Sequence, residues 1–457
     1  MLILISAGEA SGEMYGARLI EALRSATEDI GTAALGCPGE RSSPISHPED
    51  SLELRSAGMG EAPLPIQAAG QPGAAVPTLE FFGVGGDRMR AAGCDTIIDA
   101  KELAVVGITE IVSHLPKILG LYKNLIREAD RRKPDLAIVI DSPAFNWRVA
   151  RQMKKRGIPT VYYVAPQFWA WRQGRVRLIR KYIDKALVIF PFEERFYRER
   201  GVDATFVGHP LAELPTPTIT RSEYASQFAL DSNKQWIALM PGSRVKEVRM
   251  NLPMIVEAAK MLGDEYEFLL PVAPTLGREF LIGAIQNHAP QALKGRGLSA
   301  SGARVNSCPS HSEWVSGITL VPESLPALHH SRAGIIASGT ATVEAAMMNL
   351  PFVMVYRVSP LTYLLGKPRV KVPRFAMVNL IAGEEVVPEL VQQDFTAANV
   401  VARLNEVLSD SPPRSRMLEG LASVRTRLRA SGSGGLHQHP ADRAAEIILG
   451  LLRRNGG

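Results

Sequence analysis

The chain has 457 residues, 46% of them hydrophobic and 6% aromatic, and a net charge of +6. That length exceeds what one hydrophobic core ordinarily supports, so two domains are expected in an otherwise ordinary globular composition. The mildly basic balance favours anionic partners without choosing among them, but so few aromatic rings argue against a base-stacking platform, and nucleic acid is not expected as a partner.

The chain enters an apolar β-rich run at residues 2–5 directly after Met1, with no basic leader ahead of it, so no secretory signal is expected. The turn that follows, Gly8-Glu9-Ala10-Ser11-Gly12-Glu13, opens a helical pattern. With Gly16 its glycines recur every fourth residue, which departs from the dinucleotide fingerprint Gly-x-Gly-x-x-Gly. Two carboxylates here would repel a diphosphate, so the loop suits a neutral polar acceptor such as a sugar; alternatively Glu13 simply belongs to the helix's first turn. Residues 31–79 break the pattern, being rich in Gly, Pro, Ser and Ala and free of Phe, Tyr and Trp. Such a segment buries too little apolar surface to offset its ordering entropy and is read as a flexible insertion.

Strand-like runs then recur at 81–84, 136–140, 160–164, 185–189 and 204–207, with helical patterns between them, which predicts βαβ units on a parallel sheet. Between the first two, Val105, Ile108, Ile111, Val112, Leu115, Ile118, Leu119 and Tyr122 fall at helical spacing beside Lys117 and Lys123. This stretch reads either as a core-facing helix interrupted near Pro116 or as a basic amphipathic helix in a membrane interface. Asp141-Ser142-Pro143-Ala144-Phe145-Asn146 follows the run 136–140, so Asp141 stands at a strand's carboxyl end, placed to take a proton from an attacking hydroxyl. An Asp before Ser-Pro is equally the chemistry of a cap or Asx-turn. Trp169 and Trp171, followed by Arg172, Arg175, Arg177 and Arg180, form an aromatic and basic zone: a solvated helix face, or a surface for a phosphorylated lipid.

A Pro/Thr-rich stretch at 210–220 marks the joint, dividing the chain into 1–212 and 213–457. The alternation restarts at 237–240, 267–271, 318–321, 334–337 and 352–356. Lesser insertions are read at 290–316 and 430–440, and an amphipathic final helix at 440–453 is placed across the joint. Met240-Pro241-Gly242-Ser243-Arg244 ends a strand and opens a helix whose first turns carry Glu247 and Arg249. Free backbone amides there, beside a guanidinium, suit a phosphate; the plainer reading is a tight turn with a surface arginine. Ser338-Gly339-Thr340-Ala341-Thr342-Val343-Glu344 is a second such junction. Either Glu344 accepts ribose hydroxyls while the turn faces phosphates, or Thr340 caps the helix and Glu344 only favours its positive end. Two junctions in one domain make nucleotide binding the better account, and paired α/β domains place the chemistry in the cleft between them.

Three cysteines, Cys37, Cys94 and Cys308, stand far apart and argue for a reducing compartment and against a zinc site. No Walker lysine motif, Asp-x-Asp metal pair or run of about 18 apolar residues occurs.

In order along the chain, Ser6-Ala7-Gly8-Glu9-Ala10-Ser11-Gly12, Phe82-Gly83-Val84-Gly85-Gly86, Ile140-Asp141-Ser142-Pro143 and Phe168-Trp169-Ala170-Trp171-Arg172 resemble the bacterial lipid-A-disaccharide synthases. The resemblance continues through Val207-Gly208-His209-Pro210-Leu211, both glycine junctions and Asn379-Leu380-Ile381-Ala382-Gly383. It implies an inverting GT-B type glycosyltransferase, α/β in class, with two Rossmann-like parallel-sheet domains facing a cleft and neither metal nor cofactor. The implied reaction moves 2,3-diacylglucosamine from UDP-2,3-diacylglucosamine to the 6-hydroxyl of 2,3-diacylglucosamine 1-phosphate, giving the β-1,6-linked lipid A disaccharide 1-phosphate and UDP. By the same resemblance the C-terminal domain holds the donor through Gly242, Ser243, Arg244, Ser338, Gly339, Thr340 and Glu344, with Asn379 nearby. The N-terminal domain holds the acceptor, through Gly8, Ser11, Gly12, Glu13, Asn146, Gln167, Trp169 and Arg172.

Asp141 becomes the leading general base, opposite Arg244 on the leaving group, with Glu9 and Glu13 in reserve. The family often reads Asp-x-Pro-Asp-Phe-Asn, and here Ala144 replaces the second acid. Ile108, Ile111, Val112, Leu115, Ile118 and Leu119 are implied to meet acyl chains at the inner face of the cytoplasmic membrane, making a cytoplasmic protein peripherally bound there. The insertion at 31–79 is expected to lack a family counterpart. Rival readings are another UDP-N-acetylglucosamine enzyme of this architecture, either a peptidoglycan precursor transferase or a 2-epimerase, and a two-domain binding protein that closes on a ligand without chemistry. A homodimer is compatible with the sequence, which argues for no particular assembly or acyl-chain length.

Overall fold

A computed structural model describes residues 1–8, 10–35, 78–103, 108–287, 314–315, 317–366, 370–430 and 438–455. Seven strands form a first, wholly parallel sheet: β1 (Leu2–Ala7), β2 (Glu80–Gly85), β3 (Cys94–Asp99), β4 (Leu136–Ile140), β5 (Thr160–Tyr163), β6 (Lys185–Val188) and β7 (Ala204–Phe206). Their spatial order is 3-2-1-4-5-6-7. The central strands are apolar without a break and buried along their length, as Leu136–Ile140 is, because helices cover both faces of such a sheet.

A second sheet repeats the plan with β8 (Gln235–Met240), β9 (Tyr266–Pro271), β10 (Trp314–Val315), β11 (Ile318–Val321), β12 (Ala333–Ala337), β13 (Phe352–Tyr356) and β14 (Glu389–Val391), ordered 10-11-9-8-12-13-14. Among the described residues, only β10 runs antiparallel to its neighbour. The chain therefore folds as two parallel-sheet α/β domains. In each, the strand order reverses beside the first strand, between β1 and β4 and between β8 and β12. Crevices at these switch points, beyond the carboxyl ends of the strands, are where open α/β sheets take their ligands.

Three strands escape the sequence pattern: β3, which reads Cys-Asp-Thr-Ile-Ile-Asp, and the short β10 and β14. All three lie at sheet edges, where one side needs no apolar cover and the run is short or polar. The helix after β1 spans Ala10–Leu35 and so takes in the first residues of the expected insertion, while Leu79 at its other end is buried in the core. The rest of that insertion, 36–77, lies outside the described residues.

Between the domains, Thr220 caps the helix Arg221–Phe228, accepting from the Glu223 amide while Glu223 accepts from the Thr220 amide. The final helix, Pro440–Asn455, returns to the first domain and packs on Ala10–Leu35. Among the described residues, two backbone hydrogen bonds join the halves, from His209 to Leu428 O at 2.9 Å and from Lys371 to Ala170 O at 2.9 Å.

Candidate active site

The acid turn lies at the first switch point. Asp141 follows β4 directly, and both it and Ser142 adopt left-handed backbone, with φ of 47° and 45°. Two successive non-glycine residues in that region cost energy and persist only where the surroundings over-determine them. Here the surroundings are hydrogen bonds. The Asp141 main-chain oxygen accepts from Tyr162 Oη and from Asn146 Nδ2, both at 2.8 Å, and Asn146 also donates to Ile140 O and accepts from Ser6 Oγ. The Asp141 carboxylate accepts from the Ser11 hydroxyl and the Ser142 amide, yet burial dominates and raises its pKa above the ordinary 3.8. Ser142 begins the helix Pro143–Lys155 with no side-chain cap bond, so Asp141 and Ser142 do not serve as an ordinary cap.

The second switch point carries a cavity of about 640 Å³. Its walls are the turn after β8 (Gly242, Ser243, Arg244), the turn after β12 (Ser338, Gly339, Thr340), Glu344, and the loops after β9 and β11. Gly242 and Gly339 hold φ of 122° and 146°, which an L side chain rarely adopts. Thr340 makes no capping bond and is exposed beside the cavity. Glu344 accepts from Ser324 Oγ, at the start of the helix Ser324–His330 that follows β11, at 3.0 Å, and burial raises its pKa. Glu344 is thus held by the first residue of a neighbouring helix in addition to standing at the positive end of its own.

The amides expected to be free after β8 are engaged. Glu247 Oε2 accepts from Ser243 N at 3.1 Å and Arg244 N at 3.3 Å, and Glu247 Oε1 pairs with Arg244 Nη1 at 2.7 Å.

Among the described residues, Gln167 is the one residue of the first domain lining the cavity. Tyr15 of the first domain feels both acids: burial first, then the charges of Asp141 and Glu344, push its phenol up to about 12.

Several residues expected at the acceptor or donor are committed to the fold. Asn146 is fully buried and spends its amide on the strand ends described above. Glu13 accepts from Arg88 N at 2.8 Å, at the start of the helix Asp87–Ala91, so it caps a neighbouring turn instead of standing in reserve as a base. Trp169 is buried, its indole donating to Glu193 at 2.8 Å and its ring meeting Phe192 edge-on. Asn379 is also fully buried and is not among the residues lining the cavity. Its amide bonds Val387 O and Glu389, and its oxygen takes the amides of Val386 and Val387. Gly8 and Gly12 are buried beneath the turn, Ser11 reaches Asp141, and Arg172 is exposed over the Trp171 ring at 3.9 Å.

Glu9 lies outside the described residues. Ile108, Ile111, Val112 and Leu115 fall on the helix Ile108–Arg132, but their side chains lie outside the described set; of the rest, Ile118 is half-buried and Leu119 exposed. Sequence reading missed Ser324 and Tyr162, which carry no motif of their own. It named Glu247 without its partners, although its place three residues after Arg244 is capping-box spacing.

Two Rossmann-like sheets, an acid turn over one switch point and a glycine-lined cavity over the other are the architecture of a GT-B glycosyltransferase. The fold is similar to that of UDP-GlcNAc 2-epimerase from Neisseria meningitidis (TM-score 0.53, 11% identity, 99% of this chain and 100% of that one). It is also similar to the calicheamicin glycosyltransferase CalG4 (TM-score 0.50, 13% identity, 99% and 98%). The particular family follows from sequence: a family model described as Lipid-A-disaccharide synthetase matches residues 69–429, and the chain belongs to that family. A lipid-A-disaccharide synthase of Koribacter versatilis is 45% identical over 452 residues, 99% of both chains. One of Acidobacterium capsulatum is 45% identical over 434 residues, 95% of this chain and 93% of its own. The protein is accordingly a glycosyltransferase of lipid A biosynthesis.

Proposed function

We propose that the protein joins two acylated glucosamines across the cleft, with the UDP donor in the second domain and 2,3-diacylglucosamine 1-phosphate in the first. The observation that carries this reading is the cavity after β8 and β12, where two glycine turns, Arg244 and Glu344 converge. Arg244 and the turns face the diphosphate, and Glu344 faces the ribose. Asp141 removes the proton of the acceptor 6-hydroxyl. That oxygen attacks the anomeric carbon as the bond to the diphosphate oxygen breaks, inverting the centre, and the leaving UDP carries its charge toward Arg244. A raised pKa suits Asp141 as a base, since a stronger base takes a hydroxyl proton more readily.

We infer that the acceptor side rests on an anionic membrane from the cytoplasmic face; the exposed Trp171, the exposed Arg172, Arg175, Arg177 and Arg180 beside it in sequence, and the exposed Leu119 support this reading. No helix among the described residues is long and apolar enough to cross one.

The test is incubation of detergent-solubilised protein with UDP-2,3-diacylglucosamine and 2,3-diacylglucosamine 1-phosphate, read by mass spectrometry. Disaccharide 1-phosphate and UDP in equal amounts are expected. No disaccharide from folded protein overturns the reading.

A further inference from the structure

The turn after β8 already holds an anion of its own. One carboxylate, Glu247, accepts from the Ser243 amide, the Arg244 amide and the Arg244 guanidinium. It lies tight over the turn: a Cβ on Gly242 would stand 2.6 Å from Glu247 Cβ and 2.7 Å from its Oε2. The glycine is required here by the carboxylate as well as by its φ of 122°. The Glu247 side chain is 25% exposed and that of Arg244 79%. The carboxylate is therefore partly shielded, whereas the guanidinium reaches into solvent and can turn to a second anion.

These three donors are the ones the donor's diphosphate would use on the reading given above, on which this inference rests. An amide N–H cannot serve two acceptors at full strength, and two anions on one cradle repel each other. We propose that Glu247 competes with the diphosphate for the Ser243 and Arg244 donors, and thereby limits how tightly nucleotide is held and speeds the departure of UDP. Exchange of one anion for another leaves no donor unpaired at any stage. Binding is weakened by the displaced carboxylate's own bonds, and release of UDP is assisted when the carboxylate returns.

Calorimetric titration of the full chain with UDP, and with uridine as the ligand lacking phosphate, tests this in wild type, Glu247→Gln and Glu247→Ala. Both variants remove the competing charge. They are expected to bind UDP about tenfold more tightly, the loss of one charge-assisted contact in the competitor, with uridine affinity unchanged. The same variants are expected to show stronger product inhibition by UDP. Unchanged or weaker UDP binding in both variants overturns the proposal and makes Glu247 a support for Arg244. Parallel loss of UDP and uridine overturns it too, since the whole site then depends on the cap. If wild type binds neither ligand, the donor reading itself fails; if it binds UDP and the variants gain nothing, only the competition fails.

Discussion

The Tyr162 hydroxyl donates to the main-chain oxygen of Asp141 at 2.8 Å, across from the neighbouring strand. Together with Asn146 on the same oxygen, it holds a left-handed acid at the end of β4. Tyr162→Phe removes that donor without changing the ring. A single buried hydrogen bond is worth about 1 kcal/mol net, so a modest drop in Tm is expected. Turnover is expected to fall by about tenfold as the base loses its orientation, with UDP affinity intact. Loss of UDP affinity equal to the loss of kcat would show that Tyr162 supports the whole molecule and not the acid turn.

Asp141 itself works against stability. Its pKa is raised in the folded chain by burial, so the folded form binds a proton more readily than the unfolded one. The stabilisation from its protonated form is complete below the ordinary 3.8 and is lost as pH rises through the raised folded value. At neutral pH the buried charge is a cost. Asp141→Asn is therefore expected to abolish turnover while raising Tm at pH 7 to 8, and to leave UDP binding intact. The acid limb of wild-type kcat/KM is expected to fall as pH drops through the raised pKa. A Tm that decreases in the variant at pH 8 would contradict this assignment.

The strands that carry the site were legible because they are buried on both faces: 136–140, 318–321 and 352–356 were read to their observed ends. The glycine junctions were legible for the same reason, as breaks after such runs. What the residues could not disclose was how side chains spend their hydrogen bonds. Asn379 and Asn146 look like ligand contacts in a motif, but each satisfies strand and loop ends in the interior. Trp169 stands in an aromatic and basic run, yet the fold turns it inward to Glu193 while Trp171, two residues on, faces solvent. Such pairings include spans of 6 positions, Asn146 to Ile140, of 24, Trp169 to Glu193, and of 140, Asn146 to Ser6, and no single local spacing encodes them.

Glu193 is fully buried, and desolvation lifts its pKa to about 7 despite bonds from Trp169 and the amides of Ile189 and Phe190. With a raised folded pKa, its contribution to stability is present below the ordinary 4.5 and disappears as pH rises through about 7. The span corresponds to roughly 3 kcal/mol. Wild-type Tm is expected to decline between pH 5 and 8, and Glu193→Gln is expected to flatten that decline while shifting the Trp169 fluorescence. Identical pH slopes in the two proteins would remove Glu193 as the titrating group.

Trp171 and Leu119 are 49% and 47% exposed, and Arg172, Arg175, Arg177 and Arg180 are exposed with them. A large ring in water beside cations gains on entering an anionic interface, by about 1.5 to 3 kcal/mol for each apolar side chain fully buried. The pair Trp171→Ser and Leu119→Ser is therefore expected to reduce sedimentation with phosphatidylglycerol vesicles by at least about tenfold. Neither side chain is part of a core, so Tm should stay within a few degrees. Raising salt from 0.1 to 0.5 M is expected to weaken wild-type binding, as screening removes the arginine contribution. Equal sedimentation of wild type and double variant, at both salt concentrations, would place the membrane contact on some other surface of the chain.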